Sequence, residues 1–217
     1  MYKTIILIFL IVLNFPSIIA QNIIVTYENN SFGGRLSYEG KLLISEKNSQ
    51  YSVSYESFTI EENGRELEFH GKNYMLNYKY LTKEFTELRF LDKYEVKANW
   101  LNKQEWEILD ETKTILGYTV RKAQIKLDNQ MMYAWFTNEI PVPSGPYKNT
   151  GLPGLILEIY YSKQNTTCVA THIKFNVDED LKDFSNAYII TKQELQNLEN
   201  NKRAIKKRIK KGELKLN

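Results

Sequence analysis

The sequence predicts a mainly β protein with a curved or partly closed antiparallel sheet, followed by a C-terminal amphipathic helix. Two observations predict this fold class. Aromatic residues make up 13% of the 217 residues, with fifteen Tyr and ten Phe against ten Gly and five Pro. Such flat, stiff side chains suit a pleated, half-buried surface. Short apolar or alternating runs are also separated by polar turns, which is typical of an antiparallel meander.

Residues 1–20 show the sequence of a positive charge, an apolar core and small residues that is typical of a secretory signal peptide. Lys3 precedes an apolar run over residues 5–13, and the segment ends in small residues at Ala20. The alternative is an uncleaved anchor helix, but the apolar run is shorter than the roughly 20 residues that span a bilayer. Cleavage after Ala20 predicts a protein secreted across the inner membrane, to the periplasm or cell surface.

The following region, residues 21–190, is predicted to be one β-rich domain. Candidate strands cover residues 23–28, 41–45, 51–58, 73–81, 84–91, 104–109, 118–127, 131–136, 155–160 and 169–177, with turns at 61–64 and 127–130. Residues 131–136 are apolar on both faces, so this strand must be central or covered on each side. In the last strand we expect Val169, Thr171 and Ile173 to face the core and His172 to face solvent.

Cysteine and histidine are scarce, which limits the chemistry. A single cysteine, Cys168, excludes an internal disulfide and a multi-cysteine zinc site, and we expect it to be a buried, small apolar residue. The two histidines have no metal-ligand spacing, and no glycine-rich nucleotide motif is present. We therefore expect no metal and no cofactor.

Residues 141–154 hold all four prolines that follow the signal peptide, interleaved with three glycines. Proline fixes φ and removes a hydrogen-bond donor, so this segment should be a rigid connection that no strand ladder absorbs. One interpretation is a loop that presents a binding surface. The other is a fixed crossover that seats two central strands and covers their ends.

Residues 191–217 are predicted to form a basic C-terminal helix or tail. Thr191 and Glu194 have the spacing of a capping box, and an apolar stripe at helical spacing follows: Leu195, Leu198, Ile205 and Ile209. From Lys202 to Lys215 there are eight lysines and arginines, and Glu213 is the only acidic residue among them. An anionic membrane surface is a possible partner for such a helix, whereas nucleic acid is not expected; the alternative is a solvated, frayed terminal helix.

Three stretches carry a resemblance to a known family. They are residues 106–118, residues 134–147, and the hexapeptide Gly-Leu-Pro-Gly-Leu-Ile at residues 151–156. Together they resemble the GLPGLI family of secreted Bacteroidota proteins. The resemblance implies an extracytoplasmic β-rich protein, non-catalytic, with an outer-membrane transport barrel or another envelope protein as partner. It supplies no catalytic residues.

The predicted function is therefore binding of a ligand or envelope partner. The predicted contact residues lie in or near the proline- and glycine-rich segment: Tyr133, Trp135, Glu139, Pro146, Tyr147, Gly151, Pro153, Gly154 and Glu158. Because a buried unpaired carboxylate is costly, we expect Glu158 to face a wet cavity or to pair with a cation such as Lys122. The alternative function is an envelope hydrolase, or the accessory domain of one, acting on glycan or peptide. Its candidate carboxylates are Asp110, Glu111, Glu139 and Glu158.

Overall fold

The computed structural model describes residues 22–31, 36–55, 57–62, 64–69, 72–127, 130–162 and 166–216. The predicted signal peptide and His70 lie outside the described residues. Among the residues described, no helix is both long and apolar enough to span a bilayer.

The described residues are mainly β, as predicted. The strands are β1 (Asn22–Ser31), β2 (Leu36–Ile44), β3 (Asn48–Tyr55), β4 (Phe58–Glu62), β5 (Arg65–Phe69), β6 (Lys72–Lys79), β7 (Glu84–Leu91), β8 (Tyr94–Leu101), β9 (Glu107–Ile115), β10 (Tyr118–Leu127), β11 (Gln130–Thr137), β12 (Leu155–Tyr161), β13 (Thr166–Val177) and β14 (Tyr188–Ile189). Twelve of them form one sheet in the order β14-β8-β7-β6-β3-β2-β1-β13-β12-β11-β10-β9, and β4 and β5 form a separate hairpin. Every neighbouring pair is antiparallel except β14 with β8.

The large sheet is curved around one core. Tyr27 of β1, Phe85 of β7 and Phe136 of β11 belong to the same continuous apolar cluster. In a flat sheet β7 and β11 would lie about 34 Å apart, at roughly 4.8 Å per strand. The sheet must therefore bend so that both halves close on the same core, and register shifts between β1 and β13, β9 and β10, and β11 and β12 mark where strands bend.

The predicted division of β13 into one core face and one solvent face is wrong, because the strand contains one of these register shifts. Cys168 and Ala170 are buried, while Thr171 is only half-buried. The pairing with β1 slips between Thr26 and Tyr27, so the face that meets the core changes at this bulge and Ile173 packs on the core beyond it. The predictions that Cys168 is buried and His172 exposed are confirmed.

Three regions contain strands that were not predicted. They are β8, the short β14, and the hairpin of β4 and β5, in which Glu61 and Glu62 of the predicted turn belong to β4. The prediction that residues 131–136 form a central strand is confirmed, because β11 pairs with β10 on one side and β12 on the other.

The connection between β11 and β12, residues 138–154, folds into the interior. Ser144 is fully buried and shares a 2.5 Å hydrogen bond with Ser49 Oγ of β3. The Leu155 N–H donates to Ile140 O at 2.9 Å, which closes the base of the connection. A Cβ added at Gly154 would lie 2.0 Å from the Thr137 carbonyl oxygen, so only glycine fits there.

The C-terminal helices α1 (Lys192–Gln196) and α2 (Leu198–Lys210) cover the end of the sheet at β7 and β8. The predicted capping box is confirmed, since Thr191 accepts from the Glu194 N–H and Glu194 accepts from the Thr191 N–H. The predicted apolar stripe is confirmed as well, because Ile205 and Ile209 are buried against Val96 of β8 and its neighbours. The apolar side of α2 therefore belongs to the core.

Candidate functional site

An open cleft of about 650 Å³ lies at the end of β8, and Trp100 is one of its lining residues. Its lining residues are Phe85, Trp100, Leu101, Asn102, Lys103, Gln104, Lys148 and Lys192. Trp100 follows Val96 and Ala98 on one face of β8, and its ring packs on Phe85 of β7 with 5.8 Å between ring centroids. The indole is thus held by the core on one side while it lines the cleft with the other.

Hydrogen bonds fix one wall of the cleft. Asn102 Nδ2 donates to Thr150 Oγ1 at 2.8 Å, and Gln104 Nε2 donates to Asn149 Oδ1 at 3.2 Å. The Thr150 N–H donates to Gln104 Oε1 at 3.2 Å, and Trp106 Nε1 donates to the Thr150 carbonyl at 2.9 Å. Since Asn149 and Thr150 are buried, the connection between β8 and β9 is tied to a rigid support, and the wall is formed before any ligand arrives.

Three lysines give the cleft its charge. Lys148 Nζ lies 5.0 Å and Lys192 Nζ 4.9 Å from the centroid of the Trp100 ring, within the range of a cation–π contact. Lys103 is the third. The lining residues that the structure describes include no aspartate or glutamate, so the net charge of this described lining is positive.

A smaller cavity of about 240 Å³ shares Lys148 with the cleft, and it is lined by Tyr74, Glu87, Arg89, Tyr147, Lys148, Asn149 and Tyr161. The side chain of Glu87 is only 4% exposed, and its two oxygens lie 2.5 Å from Arg89 Nη2 and 3.2 Å from Lys148 Nζ. Arg89 in turn lies over the Tyr74 ring, 4.3 Å from its centroid. Two cations therefore neutralise this buried carboxylate, and removing either would be costly.

Tyr147, one of the predicted contact residues, lies in a cluster of tyrosines. Its hydroxyl donates to Asn29 Oδ1 at 2.8 Å and lies 2.6 Å from the Tyr38 hydroxyl. Its ring centroid is 4.8 Å from that of Tyr51. Burial raises the pKa of Tyr147 and of Tyr51 well above the ordinary tyrosine value. Both hydroxyls therefore stay protonated near neutral pH and serve as hydrogen-bonding groups.

Trp135 and Glu158 lie together on the outer side of the sheet. Glu158 is paired with Lys113, whose Nζ lies 4.4 Å from the Trp135 ring centroid. The prediction that Glu158 pairs with a cation is confirmed, but the partner is Lys113. Lys122 lies opposite Trp135 on β10 and pairs with Glu111 instead.

Tyr133 continues the same outer face. It lies opposite Tyr160 of β12, and the two rings stack with 6.3 Å between centroids. Lys122 Nζ lies 4.8 Å from the Tyr133 ring centroid. The aromatic rings on this face are thus capped by lysines that carboxylates on neighbouring strands hold in place.

The other predicted contact residues are spread over the connection between β11 and β12. Pro146 and Gly154 are buried, whereas Gly151 and Pro153 are exposed. Gly151 has a φ of +94°, which favours glycine. The structure brings Tyr133, Trp135 and Glu158 together on the outer face and separates them from Pro146 and Tyr147.

The candidate catalytic carboxylates are engaged in structural contacts. Glu139 is exposed, and its Oε1 accepts from the Thr119 N–H at 2.9 Å. Glu111 and Glu158 are paired with lysines, and Asp110 is fully exposed with Arg121 Nη2 at 4.0 Å. In the part of the chain that the structure describes, no three His, Cys, Asp or Glu side chains cluster in a way that could hold a metal ion.

Solved structures similar to this chain define its fold class. A crystal structure of PNGF-II matches with a TM-score of 0.65 and 21% identity, covering 85% of this chain and 34% of that one. PNGF-II in a second crystal form gives a TM-score of 0.62 and 22% identity, over 83% of this chain and 32% of that one. The fold is thus that of a β domain found within a larger protein, and this chain spans about a third of the length of PNGF-II.

The family follows from the sequence match. Residues 25–201 match the family model described as the N-terminal domain of N-glycanase peptide, PNGase F-II. The chain therefore belongs to this family. No curated protein matches the chain.

This match overturns the predicted membership of the GLPGLI family. The hexapeptide at residues 151–156 has a local cause, because Gly154 lies against the Thr137 backbone and Leu155 and Ile156 begin a buried strand. A turn of this kind can recur wherever a tight connection leads into a core strand, so it does not identify a family.

None of the cleft's lining residues named above is among the predicted contact residues. The alternation of Tyr94, Val96, Ala98 and Trp100 is the signal that predicts β8 and places Trp100 at its end. Lys148 and Lys192 carry no comparable signal, since only the fold brings them to the Trp100 ring.

Proposed function

We propose that this chain is a non-catalytic, glycan-binding accessory domain of a glycan-processing hydrolase and that it works outside the cytoplasm. The observation that carries the proposal is the cleft around Trp100. Sugar rings present apolar C–H faces and polar hydroxyl edges. The half-buried Trp100 indole is a flat apolar surface, and the lysine ammonium groups over its ring are hydrogen-bond donors.

The Trp100 cleft suits a ligand better than the Trp135 face does. Both rings have two lysines nearby. At Trp135, Glu158 and Glu111 hold the lysines in place. At Trp100, Lys192 makes no ion pair within the described residues, so its flexible side chain can turn aside or donate to a ligand. The Trp135 face, with Tyr133 and Glu158, is the alternative location of the binding surface.

Family membership supports the hydrolase context. The family description names an N-glycanase and an N-terminal domain, and the chain spans only about a third of PNGF-II. A domain in that position can hold a glycan beside a separate catalytic domain and so raise the local substrate concentration. The accessory role is therefore favoured over catalysis by this chain itself. A catalytic domain is also a more specific partner than the outer-membrane barrel, which stays a prediction.

Several charges of the basic C-terminal segment are already paired within the domain. Lys202 and Lys206 are paired with Asp92, and Arg208 is paired with Glu194. With the apolar side of α2 in the core, only its exposed charges remain for a surface contact. Binding of an anionic membrane through them stays a prediction, and salt should weaken it.

Calorimetric titration of the purified domain with a biantennary N-glycan tests the proposal. Trp100→Ala should weaken binding by about tenfold or more, as expected for a central aromatic contact. Trp135→Ala is the matched control, since it removes another half-buried tryptophan with two lysines nearby, and it should leave the affinity within about twofold. Trp100→Phe keeps an aromatic ring against Phe85, so this variant should stay folded. A loss of affinity in Trp100→Phe is then a loss of binding and not of folding.

Two results would contradict the proposal. Absence of glycan binding by the wild-type domain would remove the accessory binding role. Loss of binding in Trp135→Ala with full binding in Trp100→Ala would move the site to the outer face.

A further inference from the structure

The charges around Trp100 indicate which class of glycan the cleft binds. This inference rests on the proposed function. We propose that the Trp100 cleft selects saccharides that carry a carboxylate or sulfate group. Within the described part of the chain, the lining of the cleft has three lysines and no acidic residue.

The three lysines differ in how far their charge is already neutralised. Lys148 Nζ lies 3.2 Å from Glu87 Oε2, so part of its charge is balanced by a buried carboxylate. Lys103 and Lys192 have no carboxylate partner within the described residues, and both are exposed. Two unbalanced ammonium groups at the edge of one cleft raise the local concentration of anions.

The geometry couples this charge to sugar recognition. The ammonium groups of Lys148 and Lys192 lie 5.0 and 4.9 Å from the Trp100 ring centroid. When a sugar ring lies on the indole, Lys192 turns aside from the ring, and its ammonium group then lies next to the substituents of the sugar. An acidic substituent there gains a charge-assisted contact that a hydroxyl group does not, whereas the apolar ring face is still needed for stacking.

The experiment compares three forms of one glycan. A galactose-terminated biantennary N-glycan, its sialylated form and its sulfated form are titrated into the domain at about 0.02 M and about 0.5 M salt. The acidic forms should bind about fivefold tighter or more at low salt, as expected for one or two surface ion pairs. This difference should shrink at high salt, while binding of the neutral form should change little. The two acidic forms tell a carboxylate site from a sulfate site.

Matched lysine variants locate the effect. The double variant Lys103→Gln and Lys192→Gln should remove the preference, so that the acidic forms bind no more than about twofold tighter than the neutral form. Lys93→Gln is the control, because Lys93 also lies over an aromatic ring, that of Tyr94. It is about 20 Å from Trp100 along β8, so this variant should keep the full preference. Lys148 is left unchanged, because Glu87 depends on it.

Each other result would overturn the inference. Equal affinity for neutral and acidic glycans would overturn charge selection and leave the proposed glycan binding intact. Equally tight binding of polyglutamate would show that charge alone is recognised. A lack of binding by all three glycans would overturn both this inference and the proposed function.

Discussion

Replacing Tyr147 by Phe tests whether the connection between β11 and β12 is fixed by the tyrosine cluster. The substitution keeps the ring contact with Tyr51 and removes only the hydroxyl group. That hydroxyl donates to Asn29 Oδ1 at 2.8 Å, and Asn29 is only 1% exposed. The variant therefore leaves a buried acceptor without its donor.

The expected cost follows from that one acceptor. A buried polar group left unsatisfied costs about 1–3 kcal/mol. The Tyr38 hydroxyl, which also contacts Tyr147, is half-buried and can turn to water, so it adds little. We expect a loss of about 2 kcal/mol in the free energy of unfolding. For a domain of this size that corresponds to a Tm lower by about 4–8 °C.

Thermal unfolding followed by circular dichroism measures this loss. Tyr133→Phe is the control, because Tyr133 lies on the outer face and its hydroxyl makes no hydrogen bond within the described residues. Its Tm should change by less than about 2 °C. Equal Tm values for the two variants would refute the reasoning, since the Asn29 contact would then contribute nothing.

Three further predictions concern packing, pH and thiol reactivity. Gly154→Ala should lower the free energy of unfolding in urea by about 2 kcal/mol or more, because its Cβ would overlap the Thr137 carbonyl. Gly64 lies in open space at a φ of +71°, so Gly64→Ala should lower it by only about 1 kcal/mol. A larger loss for the Gly64 variant than for the Gly154 variant would contradict this prediction. Burial raises the pKa of Glu194, but hydrogen bonds from Thr191 and Arg208 outweigh it and hold the pKa below its ordinary value of 4.5. The contribution of Glu194 to stability is therefore present above that value and is lost as the pH falls through the folded pKa. In the wild type the urea midpoint should fall below about pH 4.5, and in Glu194→Gln this fall should be smaller. An equal fall in both proteins would exclude this role of Glu194. Burial raises the pKa of the Cys168 thiol, so a thiol reagent at about pH 8 should label it slowly in native protein and quickly in urea; rapid native labelling would show that Cys168 is accessible.

Local features of the sequence predicted local structure well. The capping box of Thr191 and Glu194 depends only on residues three positions apart, and it forms as expected. The apolar run of β11 required burial on both faces, and the strand is central. Such features depend only on residues that are close in the sequence and on the alternation of apolar residues within one strand.

Features that depend on register could not be predicted in the same way. The faces of β13 change at a bulge that is set by its pairing with β1. Glu158 of β12 pairs with Lys113 of β9, although β10 and β11 lie between these two strands. Neither the bulge nor this pairing is indicated by the residues of a single strand.

The candidate site shows the same limit over longer distances. Phe85, Trp100, Lys148 and Lys192 come from four elements that are far apart in the chain. Each residue alone has an ordinary explanation, as a core aromatic or a surface lysine. Only the curvature of the sheet and the docking of α1 place them around one cleft.

The most direct test of glycan binding in the Trp100 cleft uses the three tryptophans of the chain. Each indole N–H gives its own signal in a nitrogen–proton NMR spectrum, and single Trp→Phe variants assign the three signals. On titration with a biantennary N-glycan, the Trp100 signal should shift progressively, whereas that of Trp135 on the outer face should stay in place. A shift confined to Trp135, or no shift at any of the three, would contradict the account.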